Sequence, residues 1–118
     1  MELRSHLSDD GRVAVLELFG RFDSYTAPAV SDWLLNAPAA ATPRLVVNLA
    51  GVEFMDSTAL ATLVQGMKRR RQQGGDLRLS NLQRTVRMIF ELTRLDKAFE
   101  IFSAEAEAVH AFAAADGR

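Results

Sequence analysis

An apolar run, Leu45-Val46-Val47-Asn48-Leu49, leads within a few residues into Phe54-Met55-Asp56-Ser57-Thr58-Ala59-Leu60, where a helical pattern begins. So dense an apolar stretch suits a strand covered on both faces, and such strands sit in the middle of a largely parallel sheet. Parallel neighbours need a crossover between them, so a helix starting at Ser57 is the expected sequel. From Ser57 to Gln73, residues Leu60, Leu63, Val64 and Met67 recur at helical spacing and make a buried stripe. Lys68, Arg69, Arg70 and Arg71 fall near its end, where the helix dipole favours positive charge, and read as a solvated terminus. Gly74-Gly75 stops the helix.

The flanking segments repeat the alternation. Leu3–Leu7 and Arg12–Phe19 read as strands joined through Ser8-Asp9-Asp10-Gly11, because Asp-Gly favours hairpin geometry. Gly20 to Ser24 is a connection, and Tyr25–Leu35 is helical, with Ala27, Val30, Trp33 and Leu34 at helical spacing. Pro28 is tolerated in the first turn, where no N–H partner is lost. Asn36 to Pro43 connects to the central strand, read as Arg44–Leu49. After the glycines come a strand at Asp76–Ser80, a helix at Thr85–Leu92 and a short strand at Phe99–Phe102. Ser103 caps a last helix that carries Glu107 and puts Val109 and Phe112 on its apolar side. The expected fold is α/β. It is a single domain over residues 1–118, with a mixed, mainly parallel sheet, an N-terminal antiparallel hairpin and about four helices.

Several function classes lack their residues. No cysteine is present, which removes disulfides, thiolate catalysis and Cys-based zinc sites and fits a reducing compartment. A formal net charge of −1 gives no broad attraction to nucleic acid or anionic lipid, and no aromatic residues interleave with the basic run. No apolar run is long enough to span a membrane, and the charged N-terminus does not read as a secretion signal. Gly74-Gly75 lacks the lysine and spacing of a P-loop, and His6 and His110 belong to no ligand or triad pattern. No enzyme activity and no cofactor are expected, and the location is read as cytoplasmic. Met88, Ile89, Phe90 and Leu92 pack on the sheet or form part of a docking face.

Ser57 has two readings. As an N-cap it satisfies free N–H groups at a helix start, worth about 1 kcal/mol; Asp56 can take that place instead, leaving Ser57 in the first turn. Spacing alone favours the cap. The functional reading is a phosphate acceptor, since helix N-termini stabilise anions and a phosphoserine brings roughly −1.5 to −2 charges. Ser57 and Asp23 both lie just after strands and should meet at one sheet edge, the usual place for ligands and partners. Asp23 either stabilises its turn or orients the Ser57 hydroxyl and a kinase's metal-bound phosphate donor. Only Asp23 and Asp56 converge there, too few for a resident metal. Ser24, Thr26 and Thr58 read as local hydrogen-bond partners.

Gly20-Arg21-Phe22-Asp23, the segment Asn48 to Leu60, Gly74-Gly75-Asp76-Leu77, Val86 to Thr93 and Leu95-Asp96-Lys97-Ala98-Phe99 together resemble the anti-sigma factor antagonist family, whose fold is called the STAS domain. The resemblance covers essentially the whole chain. It implies a bacterial partner-switching protein. The unphosphorylated form binds an anti-sigma factor that is also a serine kinase, and thereby frees a sigma factor for transcription. Phosphorylation at Ser57 breaks that complex, and a serine phosphatase restores it. Asp23, Ser24, Asp56, Thr58, Ala59 and Leu60 correspond to the phosphosite surroundings and part of the partner surface. Ala59 stands where the family usually has glycine, a change that folding should survive. Homodimerisation stays open. The same fold also implies an alternative, a non-catalytic scaffold subunit of a lipid or anion transport complex.

Overall fold

The structure is a computed structural model and describes residues 1–37 and 42–116, without the side chains of 114–116. Among these residues one five-stranded sheet runs β1(Glu2–Leu7), β2(Ala14–Phe22), β3(Arg44–Met55), β4(Asp76–Ser80) and β5(Ile101–Phe102), in that spatial order. β1 is antiparallel to β2, and every later pairing is parallel. The helices are α1(Ala27–Asn36), α2(Ser57–Gln72), α3(Arg84–Leu92) and α4(Glu105–Asp116), with a 3₁₀ turn at Leu95–Lys97. The expected hairpin and mixed sheet are therefore present. Of the expected connection Asn36–Pro43, residues 38–41 lie outside the described residues.

Each parallel strand lies beside the one before it. Crossovers of one hand that step in one direction put their helices on one face. Accordingly α1, α2 and α3 cover the larger core, built on Leu16, Leu18 and Phe22 of β2, Leu45, Val47 and Leu49 of β3, and Leu77 and Leu79 of β4. α4 covers the other face, where Val15 and Val46 meet Ala108 and Phe112. The guanidinium of Arg78 stacks 3.8 Å from the centre of the Phe112 ring and holds that helix to β4. His6 reaches across from β1 to within 3.5 Å of Glu105 on α4. β1, at one end of the sheet, is mostly exposed; β5, at the other, has two residues.

Several boundaries differ from the expectation. β3 continues six residues past Leu49, to Met55, and β2 continues through Gly20 to Phe22. α1 starts at Ala27, leaving Tyr25 in the preceding turn and almost fully exposed, although Pro28 does sit in the first turn. Phe99 precedes β5 and packs edge-to-face on Phe90, so core burial rather than sheet pairing claims it. α4 starts at Glu105, with Ser103 two residues outside it; the Ser103 hydroxyl donates to the Glu107 carboxylate at 3.1 Å.

The basic run also divides. Arg70 is not solvated but buried, and its Nη2 donates to the Leu34 carbonyl at 3.2 Å, tying α2 to the end of α1. Arg71 pairs with Asp76 at 2.9 Å and donates to the Ala98 carbonyl at 2.7 Å. Gly75 has no room for a side chain, since a Cβ there would stand 1.9 Å from the Pro43 carbonyl oxygen.

Candidate functional site

The extension of β3 makes the site. Asn48 pairs with Glu17, but Gly51 pairs with Phe19 and Phe54 with Arg21, so β3 carries one extra residue at each of two bulges. Gly51 is required at the first: an added Cβ would meet the Phe19 ring at 2.5 Å and the Leu18 carbonyl oxygen at 2.8 Å. β4 stops opposite Asn48, so the far half of β3 has one strand neighbour. Its other side is closed from the start of α3. Gln83 Nε2 donates to the Ala50 carbonyl at 2.7 Å, and the Thr85 hydroxyl donates to that of Glu53 at 3.1 Å. This half-strand delivers Asp56 and Ser57 beside the end of β2.

Asp56 joins the two strand ends. Its backbone N–H donates to the Phe22 carbonyl at 3.2 Å. One carboxylate oxygen accepts from Ala59 N–H at 3.0 Å, and the other accepts from Ser24 N–H at 2.9 Å. Asp56 is thus the N-cap of α2, and Ser57 is the first helical residue. The Leu60 N–H bonds to the Asp56 carbonyl. The N–H groups of Ser57 and Thr58 are left without partners inside the helix, as at any helix start. Ser57 is exposed, and its hydroxyl has no hydrogen-bond partner among the described residues.

The Asp23 turn adjoins the start of α2 that carries Ser57, the two joined by the Ser24 N–H bond to Asp56. The Asp23 carboxylate, however, turns into its own loop. It accepts from the Tyr25 and Thr26 N–H groups at 3.0 and 3.2 Å, and Arg21 Nε lies 3.5 Å away. Burial pushes this carboxyl up, yet the N–H groups of Tyr25 and Thr26, the Thr26 hydroxyl and Arg21 outweigh that and hold it below its ordinary 3.8. Asp23 therefore sets the shape of the turn, and Asp56 connects that turn to Ser57. Thr26 helps, donating its hydroxyl to the Arg21 carbonyl at 2.8 Å.

The other sequence-read positions separate. Ser24 and Thr58 are exposed beside Ser57. Ala59 and Leu60 face inward, Ala59 completely, so the Ala59 methyl packs in the core rather than on the rim. Two exposed aromatics at this edge escaped the sequence reading. Tyr25 projects from the Asp23 turn at 92% exposure, and Phe54 lies under the Arg21 guanidinium, 4.1 Å from the ring centre. The signal for Phe54 was its pairing with Arg21, visible once both strands are extended. Among the described residues no group of three or more His, Asp or Glu could hold a metal ion, and no helix is long and apolar enough to cross a membrane.

The model of the STAS domain matches residues 6–108. The chain is 35% identical over 88 residues to the anti-sigma-B factor antagonist of Listeria monocytogenes, covering 75% of this chain and 77% of that protein. To the anti-sigma-B factor antagonist of Bacillus subtilis it is 34% identical over 92 residues, covering 78% and 83%. The crystal structure of an anti-sigma factor antagonist from Mycobacterium paratuberculosis superposes with a TM-score of 0.78 at 27% identity, covering 93% of each chain. With the mixed sheet, the bulged third strand and the Asp56–Ser57 helix start in place, the chain belongs to the anti-sigma factor antagonist family, whose fold is the STAS domain.

Proposed function

We propose that this protein is a phosphorylation-controlled binding module that captures an anti-sigma factor with serine kinase activity and releases it when Ser57 is phosphorylated. The observation that carries the reading is the exposed Ser57 hydroxyl, free of internal partners, on the first turn of a helix whose cap is bonded to the neighbouring loop. A phosphate there sits at the positive end of the α2 dipole, and the free N–H groups of Ser57 and Thr58 can bond to it. The fold tolerates the charge locally. A partner pressed on the same rim meets roughly two added negative charges beside Asp56, and desolvating them disfavours the complex. Release then needs no rearrangement of the sheet. A serine phosphatase that removes the group restores binding. The relatives' names, which describe antagonists of an anti-sigma factor, fit this reading.

The test is direct. The unmodified chain, incubated with a cognate anti-sigma factor kinase and ATP, should gain one phosphate, located at Ser57 by peptide mass measurement. Ser57→Asp should bind that kinase at least about tenfold more weakly than Ser57→Ala, a difference of roughly 1.4 kcal/mol. Equal affinities, or a phosphate on another residue, would defeat the proposal.

A further inference from the structure

Away from the rim, α1 and α2 pack closely because Gly66 has no side chain; a Cβ there would come within 3.1 Å of Leu34 on α1 and of Leu77 on β4. The two helices leave between their crests an open groove of about 320 Å³. Leu34 and Gly66 line it, Leu35 stands half-exposed on one bank, and Gln65, Lys68 and Arg69 stand on the other. Of the basic run, Arg70 and Arg71 are engaged in the fold, as described above. Lys68 and Arg69 are exposed and have no acidic partner among the described residues. On the α1 side Asp32 accepts from Asn36 Nδ2 at 2.8 Å. The groove therefore joins an apolar strip to two uncompensated positive charges, on a chain whose formal net charge is −1.

We propose that this groove seats an acidic amphipathic helix of the partner protein, one that places leucine-like side chains beside Leu35 and carboxylates against Lys68 and Arg69. The inference rests on the partner-switching reading and supplies that partner's chemistry. A furrow between two helix crests suits a third helix, whose ridge of side chains fits it, better than an extended chain seeking a sheet edge. The paired cations select carboxylates by charge complementarity. The groove is also continuous with the rim. The solvent face of α2 runs from Ser57 and Thr58 through Ala61 and Gln65 to Lys68, about 16 Å of helix, within the span of one docked protein.

Two measurements on the full chain test this. The first is titration with a stapled helical peptide of about 16 residues, leucine on one edge and glutamate beside it, followed by amide shifts. Shifts concentrated at Leu35, Gln65 and Gln72, absent for a peptide with lysine in place of glutamate, are expected. Unmoved amides, equal response to both peptides, or the same shifts produced by raising the concentration of the chain alone would overturn the proposal, the last by assigning the groove to a second copy. In the second, the variant K68E/R69E should bind the serine kinase about tenfold or more weakly, with a flatter salt dependence, while a saturating amount of the kinase still modifies Ser57. Wild-type affinity and salt dependence would sink the groove and leave the switch intact. A chain that takes the acidic peptide but is never phosphorylated would sink the switch and support the groove.

Discussion

One carboxylate, that of Asp56, holds two elements together, closing the first turn of α2 through Ala59 N–H and fastening the Asp23 turn through Ser24 N–H. Removing it leaves two N–H groups without their acceptor. Asp56→Ala should cost about 1–2 kcal/mol in urea unfolding and speed hydrogen exchange at Ser24. Asp56→Asn, which keeps a capping oxygen, should lose less. Residue roles at this edge were partly legible in the sequence. Asp56 and Ser57 are both admissible caps by sequence, and the extended backbone of Asp56 with its carboxylate bonded to Ala59 N–H selects Asp56. Arg70 was read wrongly, because four cations in a row look alike until the helix is rotated against α1 and one of them turns inward.

At the scale of elements, β3 explains both the success and the failure of pattern reading. Its core-facing residues are Leu45, Val47, Leu49, Val52 and Met55. The spacing is two residues up to Leu49 and three after it, since each bulge inserts one residue. The first half therefore announced a strand, while the second half resembled a connection. Gly20, at φ 112°, similarly disguised the end of β2. The bulged half depends on close approach at Gly51. Gly51→Ala should destabilise the protein by about 1–3 kcal/mol in urea unfolding, because both the Phe19 ring and the Leu18 backbone would have to move. Unchanged stability would show that the two strands do not pack as closely as described. The helices were more legible, because α2 keeps a regular apolar stripe along its length; α4 needed Phe112 and Ala108 to identify its buried side.

For the whole molecule, alternation of strands and helices was enough to anticipate the architecture, while the placement of three helices on one face follows from the steady march of the strands. The two surfaces proposed above, the Ser57 rim and the groove between α1 and α2, lie at strand ends and helix crests. Acid should loosen the fold in a defined direction. The N–H of Arg12 and the Ser8 hydroxyl hold Asp10 below its ordinary 3.8, and Asp23 is also lowered. Carboxyls that are more acidic in the folded chain contribute stability that is complete above 3.8 and is lost as pH falls through their lower folded values. The urea midpoint should therefore drop on the acid side of 3.8, less steeply for Asp10→Asn combined with Asp23→Asn. The margins of the sheet carry a last consequence. Glu2, Arg4 and His6 stud one outer strand, and the opposite one is a two-residue stub, so neither offers a long, flat, greasy template. Crowded copies of this protein should thus resist stitching themselves edge to edge into fibres.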